Sequence, residues 1–510
     1  MWRNLIFITF LIGAGKANDC VPRSFGNNKI VCVCNATYCD SLSEEDTKVP
    51  DAGKCNWYVS NKDGLRLKKS EVSFGTSKHS LFDVTLTVDS TKKYQTILGF
   101  GGAFTDSFGI NVKKLSEATQ KQLIRSYYDP KVGSRYTIGR VPIGGTDFST
   151  RNYTYDDVAG DVTLEHFALT DEDHDYKIPL MKQAVELNEQ VLFFGSSWSA
   201  PPWMKTNDAI NGFGFLKKKY YKVYADYILK FLEAYKEEGV NIWAVTTGNE
   251  PFDVWIPFVT LNSMGWTPST VATWVADYLG PTLANSQYND TLILLLDDNR
   301  YQFPWFPLQT FQNENAKNYI AGTAVHWYTD SFISPKVLDQ THDGSPDKFI
   351  LLTEASIVHL TQGNPAVHLG SWVRGQQYIL NIIENLNHWV IGWVDWNLAL
   401  DKDGGPNWIN NTVDSAIIVN PESDEFYKQP MYYGIQHFSK FIDSGSVRID
   451  ITDHITIKAT AALTPSGEVV VVLYNNNFLS TNVILKDLQV GNLSLKLSPY
   501  SMNTIVYRVK

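Results

Sequence analysis

At 510 residues the chain exceeds one small domain and has room for a barrel of roughly 250 to 400 residues plus one or two further modules. Hydrophobic content of 44% and charged content of 19% describe a soluble globular protein. A net charge of −10 without a basic stripe excludes nucleic acid as the partner.

At the N-terminus, Arg3 supplies a positive flank, Leu5 to Ile12 a short apolar run, and Gly15-Lys16-Ala17 the small residues that a signal peptidase reads. Residues 1–17 are expected to be a signal peptide, because the run is too short to span a bilayer, where about 20 residues are needed. All five cysteines fall between Cys20 and Cys55. In an oxidising lumen that predicts two local disulfides and one leftover thiol, in a small stapled β module over residues 18–60. The spacing lacks paired C-x-x-C units and has no nearby histidine, which argues against zinc. Sequons at Asn35, Asn152, Asn289 and Asn492 fit glycosylated loops of the same compartment.

From about residue 95 to 400, eight apolar runs (96–103, 136–144, 191–198, 242–251, 291–299, 320–328, 349–356 and 389–397) alternate with longer amphipathic stretches. Each run is apolar throughout, as parallel strands are when helices cover them outside and side chains fill them inside. Helix-like segments such as Tyr220 to Glu238 and Ser371 to Leu386 lie between them. Eight strand–helix units predict an α/β fold, a TIM (β/α)8 barrel over residues 95–429. From about residue 445, short alternating runs separated by Pro465-Ser466-Gly467 and Gly491-Asn492 predict an antiparallel β-sandwich. Leu81 to Val88 alternates in the same way, so the sandwich is assigned residues 61–94 and 430–510.

Polar and aromatic residues gather at the C-terminal ends of the runs: Asp106, Arg140, Trp198, Glu250, Asp297, Tyr328, Glu354 and Trp396. In a TIM barrel that end is the catalytic face. Glu250 ends the fourth run behind Asn249, and Glu354 ends the seventh, so their carboxyl groups are expected to face each other across the mouth. Glycoside hydrolysis needs one carboxylic acid to protonate the departing oxygen and one carboxylate at the anomeric carbon. A separation of about 5 to 5.5 Å would mean retention, with Glu354 as nucleophile and Glu250 as acid, then base. Trp198 and Trp396 are expected to wall a pyranose ring, and Asp147 and Asp106 to accept hydrogen bonds from its hydroxyls. Asn249 is expected at the sugar 2-OH, Tyr328 on the nucleophile, Arg140 keeping that nucleophile ionised, and His326 positioning a neighbour. Ordinary packing competes with these roles for the aromatics and His326, and a plain salt bridge to Arg140 competes for either glutamate alone. No metal or cofactor is called for, since two carboxylates suffice.

The motifs CVPRSFG, VCVCNATYCD, GFGGAFTD, RVPIGGTDFS, WSAPPWMKTN, NEP, YLGPTLANS, LLLDDNR, AVHWY, TEAS, GWVDWNLALDKDGGPNW and FYKQPMYYGIQHFSKFI run through nearly the whole chain. Together they resemble the acid β-glucosidases of glycoside hydrolase family 30. The resemblance implies an acid/base at Glu250, a nucleophile at Glu354, and glucose contacts from Asp147, Trp198, Asn249, Trp396 and Asn411. It also implies disulfides Cys20–Cys32 and Cys34–Cys39 and a glycan on Asn35. The implied substrate is glucosylceramide, cleaved to glucose and ceramide at a membrane surface in the lysosome. Anionic lipid, a saposin-type activator and a sorting receptor are the partners this carries with it. Within the same chemistry the alternative is a broader β-glucosidase or β-xylosidase. Outside it stands a non-catalytic glycolipid carrier, against which the presence of both glutamates speaks. The chain departs from the family's vertebrate pattern at Gly248, where that pattern has an acidic residue, and at Thr146 and Ser356, where it has cysteines. Phe252 to Thr260 matches it poorly.

Overall fold

The structure is a computed structural model and describes residues 18–75, 80, 83–257, 259–358 and 366–509. The expected signal peptide (1–17) lies outside the described residues. Among those residues no helix is long and apolar enough to cross a membrane.

Eight parallel strands close into a barrel: β1 (Gly99–Ala103), β2 (Ile138–Ile143), β3 (Leu192–Ser197), β4 (Ile242–Thr246), β5 (Leu292–Asn299), β6 (Ile320–His326), β7 (Phe349–Glu354) and β8 (Val390–Asn397). Each lies inside one of the eight apolar runs. Ile138, Phe194, Ala244, Leu294, Ala324, Leu351 and Val394, one residue from each of β2 to β8, form a single buried cluster, the packed interior that such a barrel needs. β1 supplies glycines instead. A Cβ on Gly101 would stand 1.9 Å from the Ile138 carbonyl oxygen, so only glycine lets β1 and β2 approach this closely. Outside the strands, the helix Tyr221–Glu237 buries Tyr224, Tyr227, Ile228, Phe231 and Tyr235, and the helix Trp372–Asn387 buries Tyr378, Ile379, Ile382, Ile383 and Leu386. Both show the three- and four-residue spacing of one apolar face.

A nine-stranded sheet joins the two ends of the chain. Lys54–Ser60, Lys68–Ser73 and Val84–Thr96 come from the N-terminal side, and Val447–Ile451, Ile457–Leu463, Glu468–Asn475, Thr481–Asp487, Gly491–Leu497 and Met502–Arg508 from the C-terminal side. The long strand Val84–Thr96 serves two partners. Residues 84–88 run parallel to 483–487, whereas 88–96 pair antiparallel with Val447–Ile451. The sheet thereby folds over a second core containing Leu86, Val88, Ile449, Val471, Leu485, Leu495 and Tyr507. The sandwich is therefore not wholly antiparallel, because a strand arriving from the far end of the chain is not bound by hairpin connections.

Three strands lie in other sheets than the sequence-based expectation assigns. Lys54–Ser60, expected in the Cys-rich module, pairs with Met502–Arg508 and Lys68–Ser73 in the nine-stranded sheet, where both its edges find ladder partners. Conversely, Ile417–Asn420 and Glu425–Lys428, expected within the barrel segment, complete a four-stranded sheet with Pro22–Ser24 and Ile30–Asn35. Disulfides Cys20–Cys32 and Cys34–Cys39 staple that sheet. Cys55 is free and buried, and burial pushes its thiol up to about 12.

The helix Pro430–Ser439 is buried on every side between barrel and sandwich, the position a helix with no polar face requires. Its His437 lies between the Thr504 hydroxyl (2.8 Å from Nδ1) and the Ser60 hydroxyl (2.9 Å from Nε2). Thr504 donates its own proton to the His437 carbonyl oxygen, so Nδ1–H donates to Thr504 Oγ1 and Nε2 accepts from Ser60. Burial pushes this imidazole down to about 3.

Candidate active site

Arg140 on β2 is the hub of the barrel mouth and is fully buried. One guanidinium nitrogen donates to Glu354 Oε2. The other donates to Asn249 Oδ1 at 2.7 Å and to Asp297 Oδ2 at 2.8 Å. Tyr328 donates its hydroxyl to the second Glu354 oxygen at 2.6 Å. Glu354, the last residue of β7, is thus held in place from both sides by hydrogen-bond donors.

Glu250 is placed differently from expectation. β4 stops at Thr246, and Glu250 sits four residues beyond it with φ +39°, in the left-handed region that non-glycine residues seldom adopt. Its own N–H donates to the Asp297 carbonyl oxygen at 2.9 Å, and its carbonyl accepts from Asp253 N–H at 2.9 Å. The carboxylate accepts from Asn299 Nδ2 at 2.9 Å, and His326 Nδ1 lies 3.0 Å from it. A turn pinned at these points replaces the strand end that the sequence suggested. Ligand-type atoms of Glu250, His326 and Glu354 all lie within 4.8 Å of one another, so the two carboxyl groups do approach closely.

The same trio has metal-ligand chemistry on paper, but His326 spends both ring nitrogens on carboxylates, Nδ1 on Glu250 and Nε2 on Asp297 at 2.9 Å. Burial pulls its pKa down, yet the charges of Glu354 and Asp297 and its hydrogen bonds lift it to about 10. A protonated imidazole has no lone pair to offer a metal. Glu250 shows the reciprocal effect: burial raises its pKa, but the His326 hydrogen bond and charge outweigh this and hold it below the usual glutamate range. Asp147 is pushed up to about 7 by burial and by the Glu354 charge.

Asp297 was visible in the sequence as a strand-end acid but had no role there. It accepts from Arg140, His326, Ser196, Thr246 and Thr353, and so locks β2 through β7 around the mouth. Burial opposes its charge, but Arg140 and His326 keep it well below the usual carboxylate range. Leu296 and Asp297 both have positive φ at a break in the β5–β6 register, a bulge that turns Asp297 and Asp298 to opposite duties. Asp298 accepts from Phe252 N–H at 3.2 Å, next to the Glu250 loop. The run LLLDDN was the available signal for both.

Residues 97–442 match the glycosyl hydrolase family 30 TIM-barrel domain and residues 445–505 the family 30 beta sandwich domain. The chain belongs to glycoside hydrolase family 30. It is 40% identical over 501 residues to the lysosomal acid glucosylceramidase of Mus musculus, covering 96% of each chain. It is also 40% identical over 518 residues to putative glucosylceramidase 3 of Caenorhabditis elegans, covering 99% of this chain and 98% of the relative. Among solved structures, SrfJ from Salmonella typhimurium superposes with a TM-score of 0.83 at 27% identity, covering 90% of this chain and all of SrfJ.

Within this family 30 frame, one expectation needs correcting. Asp106 does not join the glutamates. Its carboxylate accepts from Ser149 at 2.6 Å and Tyr153 at 2.9 Å and pairs with Lys177 at 3.6 Å, in a buried cluster with Asp173. It begins the helix Asp106–Lys113, and an acid there serves the helix N-terminus. Trp198 and Trp396, expected to wall a pyranose ring, stack on each other with ring centroids 5.2 Å apart, and Arg140 lies over both. They form one continuous wall. Asn411 donates to Asp147 at 2.8 Å, which brings those two expected contacts together. Of the sequon residues, Asn152 and Asn289 are exposed and Asn35 and Asn492 half-buried.

Proposed function

We propose that the chain hydrolyses the β-glucosidic bond of glucosylceramide to glucose and ceramide with retention, through a glycosyl ester on Glu354. The observation that carries this reading is the approach of Glu250 and Glu354 oxygens to within 4.8 Å. That gap matches double displacement, whereas inversion needs about 6.5–9.5 Å to hold a water between the carboxyl groups. Arg140 and Tyr328 hold Glu354 aimed for attack. Glu250 delivers a proton to the departing oxygen and then takes one from the water that cleaves the ester. Asn249, anchored on Arg140, supports the sugar 2-OH, and Asp147 with Asn411 supports the hydroxyls further round the ring, against the Trp198–Trp396 wall.

The names of the mouse and nematode relatives support glucose as the sugar and ceramide as the aglycone. Exposed Phe213 and Trp255, with ring centroids 4.8 Å apart on the rim beside the Glu250 loop, suit a lipid aglycone presented at a membrane surface. The mouse relative's name likewise supports a lysosomal site of action, and the family resemblance supports help there from anionic lipid and a saposin-type activator after delivery by a sorting receptor.

A cyclitol epoxide inactivator followed by peptide mass mapping tests the mechanism: label on Glu354 is expected, and label on any other residue overturns it. Comparison of kcat/KM for glucosylceramide, an alkyl β-glucoside and a β-xyloside tests the substrate, and a preference for xylose overturns that assignment.

A further inference from the structure

Asn299 is the last residue of β5 and is buried. Its amide nitrogen stands between two carboxyl groups, 2.9 Å from Glu250 Oε1 and 3.4 Å from Asp298 Oδ1. Asp298 Oδ1 also accepts from the Asn299 backbone N–H and the Tyr301 hydroxyl. Acceptors on that side turn the NH2 end of the amide towards them and settle the orientation of the side chain. The amide oxygen is then left buried with no hydrogen-bond partner among the described residues. That is a standing cost, because the atom has given up water and gained nothing. A leucine of similar shape would avoid it, so packing does not account for an asparagine here.

The second donor to Glu250 comes from the next strand. His326 Nδ1 on β6 lies 3.0 Å from the same oxygen, Oε1. The imidazole is protonated, so it donates there as it donates to Asp297 from Nε2. A carboxyl oxygen has two lone pairs, and at Oε1 the two donors take both. Oε2 is left as the oxygen able to hold a proton, and the Glu250 side chain remains 16% exposed where that of His326 is fully buried. A carboxyl group held by one donor can pivot about that bond, whereas donors from two adjacent strands fix its plane. We propose that Asn299 is a positioning residue that, with His326, occupies Oε1 and so makes Oε2 the oxygen that delivers the proton to the departing group.

This role rests on reading Glu250 as the acid/base. In the first half-reaction the Oε2–H bond breaks as the proton bonds the glycosidic oxygen. The C–O bond to the aglycone breaks with its electron pair staying on that oxygen, while Glu354 bonds the anomeric carbon. In the second, water attacks that carbon, its proton returns to Oε2, and Glu354 departs as a carboxylate, so protons balance over the cycle. The other titratable groups around Glu250 are Glu354 on β7, Asp147 beyond β2, Asp298 and Tyr301 at and after the end of β5, and Asp253 on its own loop. Asn299 is uncharged at every pH, so removing it takes away a donor and no charge. That donor favours the ionised carboxylate, and its loss raises the pH at which Glu250 gives up its proton.

The test uses the full chain and its Asn299→Ala variant, with kcat/KM measured across pH on an alkyl β-glucoside and a dinitrophenyl β-glucoside. An alkyl leaving group needs the proton and a dinitrophenyl group does not. The expected result is a loss about tenfold or more larger on the alkyl substrate, carried by kcat rather than KM. The alkaline limb should move to higher pH by about half a unit or more. Equal losses on both substrates, or an unmoved limb, overturn the proposal. If Asn299→Ala does not fold, Asn299→Ser takes its place, and the same results support or overturn the role. In a Glu250→Ala background the substitution should cost less than about threefold, because it acts through Glu250, and a larger loss there overturns it. Glu250→Ala alone is measured alongside. A leaving-group-dependent loss there with equal losses at Asn299 refutes this inference alone, whereas equal losses at Glu250 refute the acid/base reading as well.

Discussion

His437, at the joint between barrel and sandwich, makes a quantitative claim about acid stability. Its neutral imidazole is held near 3, against about 6.5 for a histidine in an unfolded chain. Between those values the unfolded chain binds the extra proton, so stability from this site is present above about pH 6.5 and is lost as pH falls towards 3. At pH 4.5 the unfolded-state pKa lies two units above the solution pH and the folded one lies below it, so the loss is about 3 kcal/mol. His437→Gln removes the titration while keeping a polar side chain near Ser60 and Thr504. Its packing cost does not depend on pH, so the difference in unfolding free energy between the two chains isolates the effect. Urea denaturation at pH 7 and pH 4.5 should show the wild-type advantage shrinking by about 3 kcal/mol on acidification. Parallel pH curves for the two chains would refute the reasoning. The wild-type curve alone is not diagnostic, because Asp147 and Asp298 near 7 and Asp395 near 8 act in the opposite sense. Raised carboxyl pKa values give stability that grows as pH falls through them, so these acids offset His437 at acidic pH.

Other expectations are more direct. Glu354→Gln should lower kcat by about three orders of magnitude or more with an unchanged circular dichroism spectrum, since it removes the attacking oxygen and not the fold. Tyr328→Phe removes a hydrogen bond to a charged group, worth about 1.5–3 kcal/mol, and should reduce kcat/KM by about tenfold to a hundredfold. Arg140→Met strands Asp297 and Glu354 without their buried cation and should destabilise the chain by about 3–5 kcal/mol, read as a lower denaturation midpoint.

The barrel was legible because its strands are buried on both faces, which turns each into an unbroken apolar run that periodicity can find. Glu354 and Tyr328 were legible for a related reason: a polar residue that closes such a run points into the mouth. The sandwich was harder. Nothing local in Lys54–Ser60 reveals that its ladder partner is Met502–Arg508, more than 400 positions away. Glu250 was found as a residue but not as a conformation, because a turn at φ +39° depends on the Asp297 carbonyl that receives its N–H. Asp106 misled because it follows the first apolar run as the other mouth residues close theirs, whereas Lys177, its buried ion-pair partner, is distant in sequence. The stacking of Trp198 on Trp396, with Arg140 over both rings, is a contact between distant segments that no local pattern encodes.

The shared ownership of the nine-stranded sheet bears on biosynthesis. Lys54–Ser60, Lys68–Ser73 and Val84–Thr96 leave the ribosome early, but the second neighbour of Lys54–Ser60 and both neighbours of Val84–Thr96 lie at Val447 or beyond. At roughly 5–20 residues per second, the intervening stretch of about 350 residues takes some tens of seconds to emerge. During that interval the nascent chain carries open strand edges with apolar faces, beside a barrel that is still incomplete. Such a chain depends on chaperones until its C-terminal strands arrive, and a premature stop late in the message would leave those early edges permanently exposed. C-terminal truncations should therefore be retained and degraded as misfolded chains even when every residue of the barrel mouth is present.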